Sequence, residues 1–302
     1  MNPFAKFEAR ALSFNINNAM AMARCSEAAY PETVTYDDEK KTESPEAWES
    51  RVTDLLLSWG FTHIDFFDRN GSQAFLAGQP KKIVLSFRGT EATALEDIAA
   101  DLRIRQVGGP LAGRVHRGFL MALLAIWDDA DTPDGRFIGI EHSLKTMKES
   151  IDGSPALWIT GHSLGAGLAT LAAAFLLEEG RPVQGLHTFG CPRVGDSAFV
   201  TALDARSGKR NYRLVNNNDV VTRVPPRSFG YDHAGEFWYL SENADLKCDP
   251  NSWYLFLDRS LGSLCDIGTA GVDAIKDHSM NSEPDGYIPA LIKALAKQEW
   301  SD

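Results

Sequence analysis

Residues 161–165 read Gly-His-Ser-Leu-Gly. A serine held between two glycines in this G-x-S-x-G pattern serves as a nucleophile when it sits on a tight turn from a strand into a helix. That chemistry asks three things of the surrounding sequence. A strand must lead in, a helix must lead out, and an acid followed by a histidine must come downstream, in the order Ser…Asp/Glu…His. Residues 156–160 (ALWIT) form an apolar run that reads as a buried strand, and 164–179, rich in Gly and Ala, carries a helical pattern. Gly161 and Gly165 leave room where a Cβ would clash. The turn lifts the Ser163 hydroxyl to the strand end, and the helix start beneath it favours an anion formed there.

The best downstream acid is Asp219, which follows directly on a predicted strand at 211–216 (NYRLVN) and so shares the sheet edge with Ser163. Asp196 and Asp232 compete, the first placed as a helix-start cap and the second as a loop acid. Two histidines follow. His233 comes fourteen residues after Asp219, just before another strand, and His278 lies in a loop ahead of the last helical stretch, 287–297. A loop that returns to the sheet edge suits a base that must reach the serine hydroxyl. His162 fills the variable position of the turn, His63 and His187 lie in predicted strands, and His142 opens a helix. These four read as packed or solvent-facing.

The elements that must position these groups follow from periodicity. A helix covers 15–30 and ends before Pro31, and the polar stretch 31–50 reads as a solvated loop. Short β-type runs follow at 63–67, 73–77 and 83–87, the first two joined by the turn signal Asn70-Gly71. Beyond residue 115 the rhythm becomes helix 118–130, helix 138–150, strand 156–160, helix 164–179, strand 186–190, helix 195–206 and strand 211–216. Strands alternating with helices predict an α/β fold, a mostly parallel central sheet with helices on both faces and an antiparallel front edge. The motifs are too dispersed to divide, so the expectation is one domain over 1–302.

Composition narrows the partners. The 302 residues are 44% hydrophobic and 24% charged, enough for a sizeable core. With 30 Lys and Arg against 41 Asp and Glu, the net charge is −11. That excludes the basic stripe of a nucleic-acid binder and weighs against electrostatic docking on anionic lipid. The most apolar stretch, 164–177, falls short of the roughly 18–20 residues of a transmembrane segment. The N-terminus has no unbroken apolar core and carries Glu8, unlike a signal peptide, so a cytoplasmic location or leaderless export is expected. Cys25, Cys191, Cys248 and Cys265 form no CxxC pair, which argues against a zinc site. Cys248 and Cys265 are close enough to bridge in an oxidising compartment, but free thiols are expected.

With these residues in place, the chain resembles the class 3 lipases, the family of the fungal triacylglycerol lipases of Rhizomucor and Thermomyces. The resemblance rests on an ordered series: SEAAY near residue 30, LSFRGT at 85–90, VHRGF at 115–119, ITGHSLG at 159–165, TFGCPRVG at 188–195, DVVTRVPP at 219–226, YDHAGEFW at 231–238 and Asp277-His278. It implies the α/β-hydrolase fold and a triad of Ser163, Asp219 and His278. It also implies an oxyanion hole from the Leu164 N–H and from Thr90, through its backbone N–H. In the family an aromatic residue usually follows the histidine by a few positions, whereas here SMNSEPDG separates His278 from Tyr287.

The resemblance further implies a lid at about 91–102, where Leu95, Ile98, Ala99 and Leu102 form an apolar stripe opposite Glu91, Glu96, Asp97 and Asp101. Residues 241–276 read as an insertion around the apolar patch 253–257. The implied activity is hydrolysis of acylglycerol esters at a lipid–water interface through an acyl-enzyme, with no metal or organic cofactor. A phospholipase A1, a feruloyl-type or short-chain esterase, and a non-catalytic lipase-like scaffold are the alternatives. Secretion, usual in the family, is the alternative location.

Overall fold

The computed structural model of the protein describes residues 1–36, 39–89, 105–133, 135–250, 276–281 and 284–299. Its frame is an eight-stranded sheet. In chain order the strands are β1 (His63–Arg69), β2 (Ser72–Gln79), β3 (Lys82–Phe87), β4 (Ala156–His162), β5 (Gly185–Phe189), β6 (Asn211–Asn216), β7 (Glu236–Leu240) and β8 (Leu246–Cys248). They lie side by side in that same order. Strands β3 to β7 run parallel, while β1, β2 and β3 form an antiparallel meander at one edge. At the turn between β1 and β2, Asn70 and Gly71 both take positive φ (52° and 78°), the conformation that an Asn-Gly hairpin favours. At the far edge β8 adds antiparallel to β7, a strand that the sequence left inside the 241–276 insertion.

Every residue of β3, β4 and β5 is buried, as expected of parallel strands covered on both faces. The period of two divides β4 between two cores. Leu157 and Ile159 pack with α3 (Arg117–Trp127), α4 (Ile140–Ser150), α5 (Leu164–Glu178) and α6 (Ser197–Ser207). Ala156 and Trp158 face the N-terminal segment, α1 (Ile16–Ala28), α2 (Pro45–Ser58) and α7 (Tyr287–Glu299). Helices thus cover both faces of the sheet. No helix among the described residues is long and apolar enough to cross a membrane.

The loop expected over 31–50 is corrected. Thr33–Tyr36 pairs antiparallel with Glu39–Thr42, and α2 begins at Pro45. Ser44 caps α2 by accepting from the Ala47 N–H, Pro45 sits where a missing N–H costs nothing, and Glu46 meets the positive end of the helix dipole. The buried Trp48, Val52 and Leu56 recur every four residues, a period that shows only when the window extends past residue 50. Among the described residues Cys25, Cys191 and Cys248 form no disulfide, and Cys265 lies outside them.

Because β3 to β7 are parallel, their carboxyl ends share one edge. There, Phe87, His162, Phe189 and Asn216 give way to Arg88, Ser163, Gly190 and Asn217. A crevice outside the carboxyl ends of the strands is where open α/β sheets place their ligands.

Candidate active site

Ser163 is fully buried between β4 and α5, with φ 58° and ψ −128°. Such a conformation costs an L-residue about 1–3 kcal/mol and persists only where the surroundings over-determine it. Here they do. A Cβ on Gly161 would collide with the backbone of Gly165, and one on Gly165 would lie 2.5 Å from the Phe87 carbonyl oxygen. The Ser163 N–H donates to the Phe189 carbonyl at 2.9 Å, which ties the turn to β5. Leu164 opens α5, so its N–H has no carbonyl one turn earlier in the helix to bond. That orphan donor lies beside the serine.

Asp219 follows β6 and is buried. Its carboxylate accepts from the Val221 N–H (2.9 Å), from the Tyr287 hydroxyl (2.7 Å) and from His278 Nδ1 (2.9 and 3.0 Å to the two oxygens). Burial alone would raise its pKa. The neighbouring His278 and the hydrogen bonds from His278 and Tyr287 outweigh that and hold the carboxyl below the usual range. With Nδ1 donating to a carboxylate, a neutral His278 presents Nε2 as an acceptor. Both Ser163 Oγ and His278 Nε2 are buried and without a hydrogen-bond partner among the described residues. A buried hydroxyl and a buried ring nitrogen left unsatisfied are costly in a core, and they are the two atoms a nucleophile–base pair would use. Gly190 is needed for this approach: it takes φ 59°, and a Cβ there would lie 2.7 Å from Asp219 Oδ2 and 2.8 Å from the His278 ring.

The other candidates are engaged elsewhere. His233 donates from Nε2 to the Thr222 carbonyl at 2.7 Å; burial and the nearby Arg213 and Arg193 push its pKa well down. Asp196 caps α6 by accepting from the Phe199 N–H at 2.9 Å, and Asp232 pairs with Arg227 at 3.0 Å. Two further polar residues of the ordered motifs have structural contacts: His116, in VHRGF, caps α3, and Arg88, in LSFRGT, donates to Gln73. Thr90, the expected lid at 91–102 and the apolar patch at 253–257 lie outside the described residues.

Three contributors were not singled out by the sequence. Tyr287, read as the start of the last helix, donates to Asp219 across 68 positions and accepts from the Asn216 N–H at 3.1 Å. The Asn216 side chain in turn donates to the carbonyls of Asp277 (2.9 Å) and Asp285 (2.6 Å), which brings the His278 loop onto the sheet edge. His162, read as a packed or solvent-facing filler, is hydrogen-bonded to His278 itself. The aromatic residue expected within a few positions of the histidine was the one available signal for Tyr287; nothing in spacing pointed to the Asp219 contact.

Residues 84–229 match the family described as lipase (class 3). The secreted mono- and diacylglycerol lipase 1 of Fusarium solani is 37% identical over 117 residues, 39% of this chain and 34% of that protein. Triacylglycerol lipase OBL1 of Arabidopsis thaliana is 28% identical over 251 residues, 69% of this chain and 48% of that protein. The chain thus spans about a third to a half of the length of these curated relatives. A solved triacylglycerol lipase, described as having a serine protease triad as its catalytic centre, superposes with a TM-score of 0.60 at 25% identity, covering 80% of this chain and 90% of that one. The structure of Penicillium cyclopium MDLA gives 0.63 at 21% identity over 92% and 97%, a likeness of fold. The sheet and its flanking helices are therefore of the α/β-hydrolase type.

Proposed function

We propose that this chain, whose resemblance to the class 3 lipases is borne out over residues 84–229, is a serine hydrolase of acylglycerol esters working as one domain. The observation that carries this is the buried Asp219–His278 pair at 2.9 Å, with His278 Nε2 and Ser163 Oγ both left unspent at the same sheet edge. In this reading Ser163 attacks the ester carbonyl while His278 takes its proton. Asp219 keeps the imidazole in the required tautomer and stabilises the imidazolium. The Leu164 N–H, joined by Thr90, receives the oxyanion, each such donor worth about 2.7–4 kcal/mol. His278 then protonates the leaving alcohol, and water attacking the acyl-enzyme by the same route releases the acid.

The relatives' names guide the finer assignments. Fusarium and Penicillium proteins named as secreted mono- and diacylglycerol lipases favour partial glycerides as substrates and secretion as the location. A lid at 91–102 over a lipid–water interface belongs to the same proposal. The test is turnover of p-nitrophenyl esters from C2 to C16 and of mono-, di- and triolein emulsions, with folded Ser163→Ala as control. The variant is expected to lose at least about 10⁴-fold in kcat. Equal inertness of wild type and variant refutes the proposal, and turnover of short soluble esters alone reduces it to an esterase.

A further inference from the structure

The nucleophile turn needs its serine and its two glycines; the residue between the first glycine and the serine is free to be anything that fits. Here it is His162, and both of its nitrogens are engaged. Nε2 lies 2.6 Å from the carbonyl oxygen of His278, and Nδ1 lies 2.7 Å from the Tyr30 hydroxyl, just beyond the end of α1. A carbonyl only accepts, so Nε2 carries the proton; a neutral ring then offers Nδ1 as an acceptor, and the Tyr30 hydroxyl donates to it. Burial, reinforced by the neighbouring His278, lowers the His162 pKa to about 3, so one neutral tautomer holds wherever a histidine base operates.

The ring does a second thing. It lies against the His278 imidazole, with centroids 4.5 Å apart and planes tilted by 34°. Tyr287, bonded to Asp219, meets the His162 ring edge-on at 5.9 Å. The groups facing His162 are therefore Tyr30 from the segment after α1, His278 and Asp219 from the loops at the sheet edge, and Tyr287 from α7. The strand-end segment approaches as well: a Cβ on Gly89 would collide with the Tyr30 hydroxyl and the His162 carbonyl. A histidine that merely filled the core would not need to grip the backbone of the residue paired with Asp219.

We propose, resting on the ester-hydrolase reading, that His162 is a positioning residue for the base. Its Nε2–H, set by Tyr30, holds the His278 backbone while its ring supports the His278 imidazole. Asp219 orients the base from one side through Nδ1, and His162 orients it from the main chain and one ring face. Misplacement of a reacting group by about 1 Å costs on the order of a hundredfold in rate, which sets the scale of the effect.

The experiment measures kcat and KM on p-nitrophenyl butyrate for wild type, His162→Phe, His162→Gln and Tyr30→Phe. Active sites are counted with a p-nitrophenyl phosphonate that titrates the nucleophile, so that misfolded protein does not enter kcat. Phenylalanine keeps a ring and removes the donor, whereas glutamine places an N–H the same number of bonds from Cβ as His162 Nε2. His162→Phe is expected to lose about tenfold to a hundredfold in kcat per titrated site with KM within about twofold, and His162→Gln to recover most of that loss. Tyr30→Phe, which removes a single oxygen and serves if His162→Phe does not fold, is expected to lose about threefold to tenfold in kcat. An active wild type with kcat unchanged in His162→Phe or in Tyr30→Phe overturns the proposal alone, as does an equal fall in the Gln and Phe variants. An inert wild type, matching Ser163→Ala, overturns the ester-hydrolase reading and this one with it.

Discussion

His162 and His187 stand on neighbouring parallel strands, with His187 opposite Thr160 and Phe189 opposite His162. Both are buried on the face covered by α1, and burial drives the pKa of each down to about 3. Their surroundings differ. His187 is walled by Tyr212 (4.9 Å between rings), Trp158 (5.7 Å) and Phe14 (6.2 Å), and neither nitrogen has a hydrogen-bond partner among the described residues. The same aromatic wall holds down the N-terminal segment, through Phe14 stacked on Trp238 at 3.7 Å and the Trp158 indole N–H donating to the Ala9 carbonyl at 3.1 Å. His162, two residues closer to the carboxyl edge, spends both nitrogens, one of them on the His278 backbone. Burial and a depressed pKa are common to the two. What separates a structural histidine from one wired to the chemistry is the set of partners.

That contrast can be broken at several points. At the polar edge, Asp219→Asn should lower kcat by about 10⁴-fold by presenting the wrong His278 tautomer, and His278→Ala by a similar amount. Steady-state rates check both. If His233→Ala abolished turnover and His278→Ala did not, the site would be misassigned. Tyr287→Phe deletes one donor to a charged carboxylate and should cost about tenfold in kcat, seen in the same assay.

At the aromatic wall, no effect on kcat is expected, only on stability. His187→Leu, close in volume, removes two unsatisfied polar atoms and should raise the melting temperature by about 2–4 °C at pH 8. The gain should widen as pH falls from 6.5 towards 3. In that window the unfolded chain binds a proton at His187 that the folded chain refuses, so wild-type stability drops. A melting temperature below wild type would mean that His187 has a partner after all, and the comparison would collapse.

Asp277, beside the base, gives the opposite slope. Burial, with Asp219 and Asp285 nearby, raises its carboxyl to about 7 against hydrogen bonds that lower it. Between the ordinary carboxylate range and pH 7, the unfolded chain has released a proton that the folded chain keeps, so stability falls as pH rises through that window. Asp277→Asn should therefore melt a degree or two above wild type at pH 8, a rough figure, and level with it at pH 4. Differential scanning calorimetry at the two pH values measures this smallest of the effects.

Much of the frame was legible in the residues themselves. The apolar runs that become β3, β4 and β5, the Asn-Gly hairpin and the Gly-His-Ser-Leu-Gly turn all obey rules acting over two to four residues, and those rules do not wait for the rest of the fold. Helix α2 escaped because its cap, Ser44-Pro45-Glu46, sits in a run of charge while its apolar period begins only at Trp48. The strand β8 escaped because three residues carry too little pattern, and it exists by pairing with β7. Tyr287 escaped for another reason: its value lies in one hydroxyl reaching across 68 positions, and nothing local marks an aromatic residue for that.

The sequence by itself determined where a nucleophile would be strained into place, since the steric demands on Gly161, Ser163 and Gly165 are met within five residues. It also determined that the acid at 219 would reach the same edge, because a parallel strand delivers its carboxyl end there. Which histidine meets that acid was another matter. On the residues alone His233 and His278 both qualified, and the resemblance favoured His278. Only the tertiary structure set His233 against the Thr222 carbonyl, His278 against Asp219 across 59 positions, and His162 beneath it. Hydrogen bonds between loops depend on how those loops return to the sheet, and that return is decided by packing against α1 and α7, which no local rule encodes.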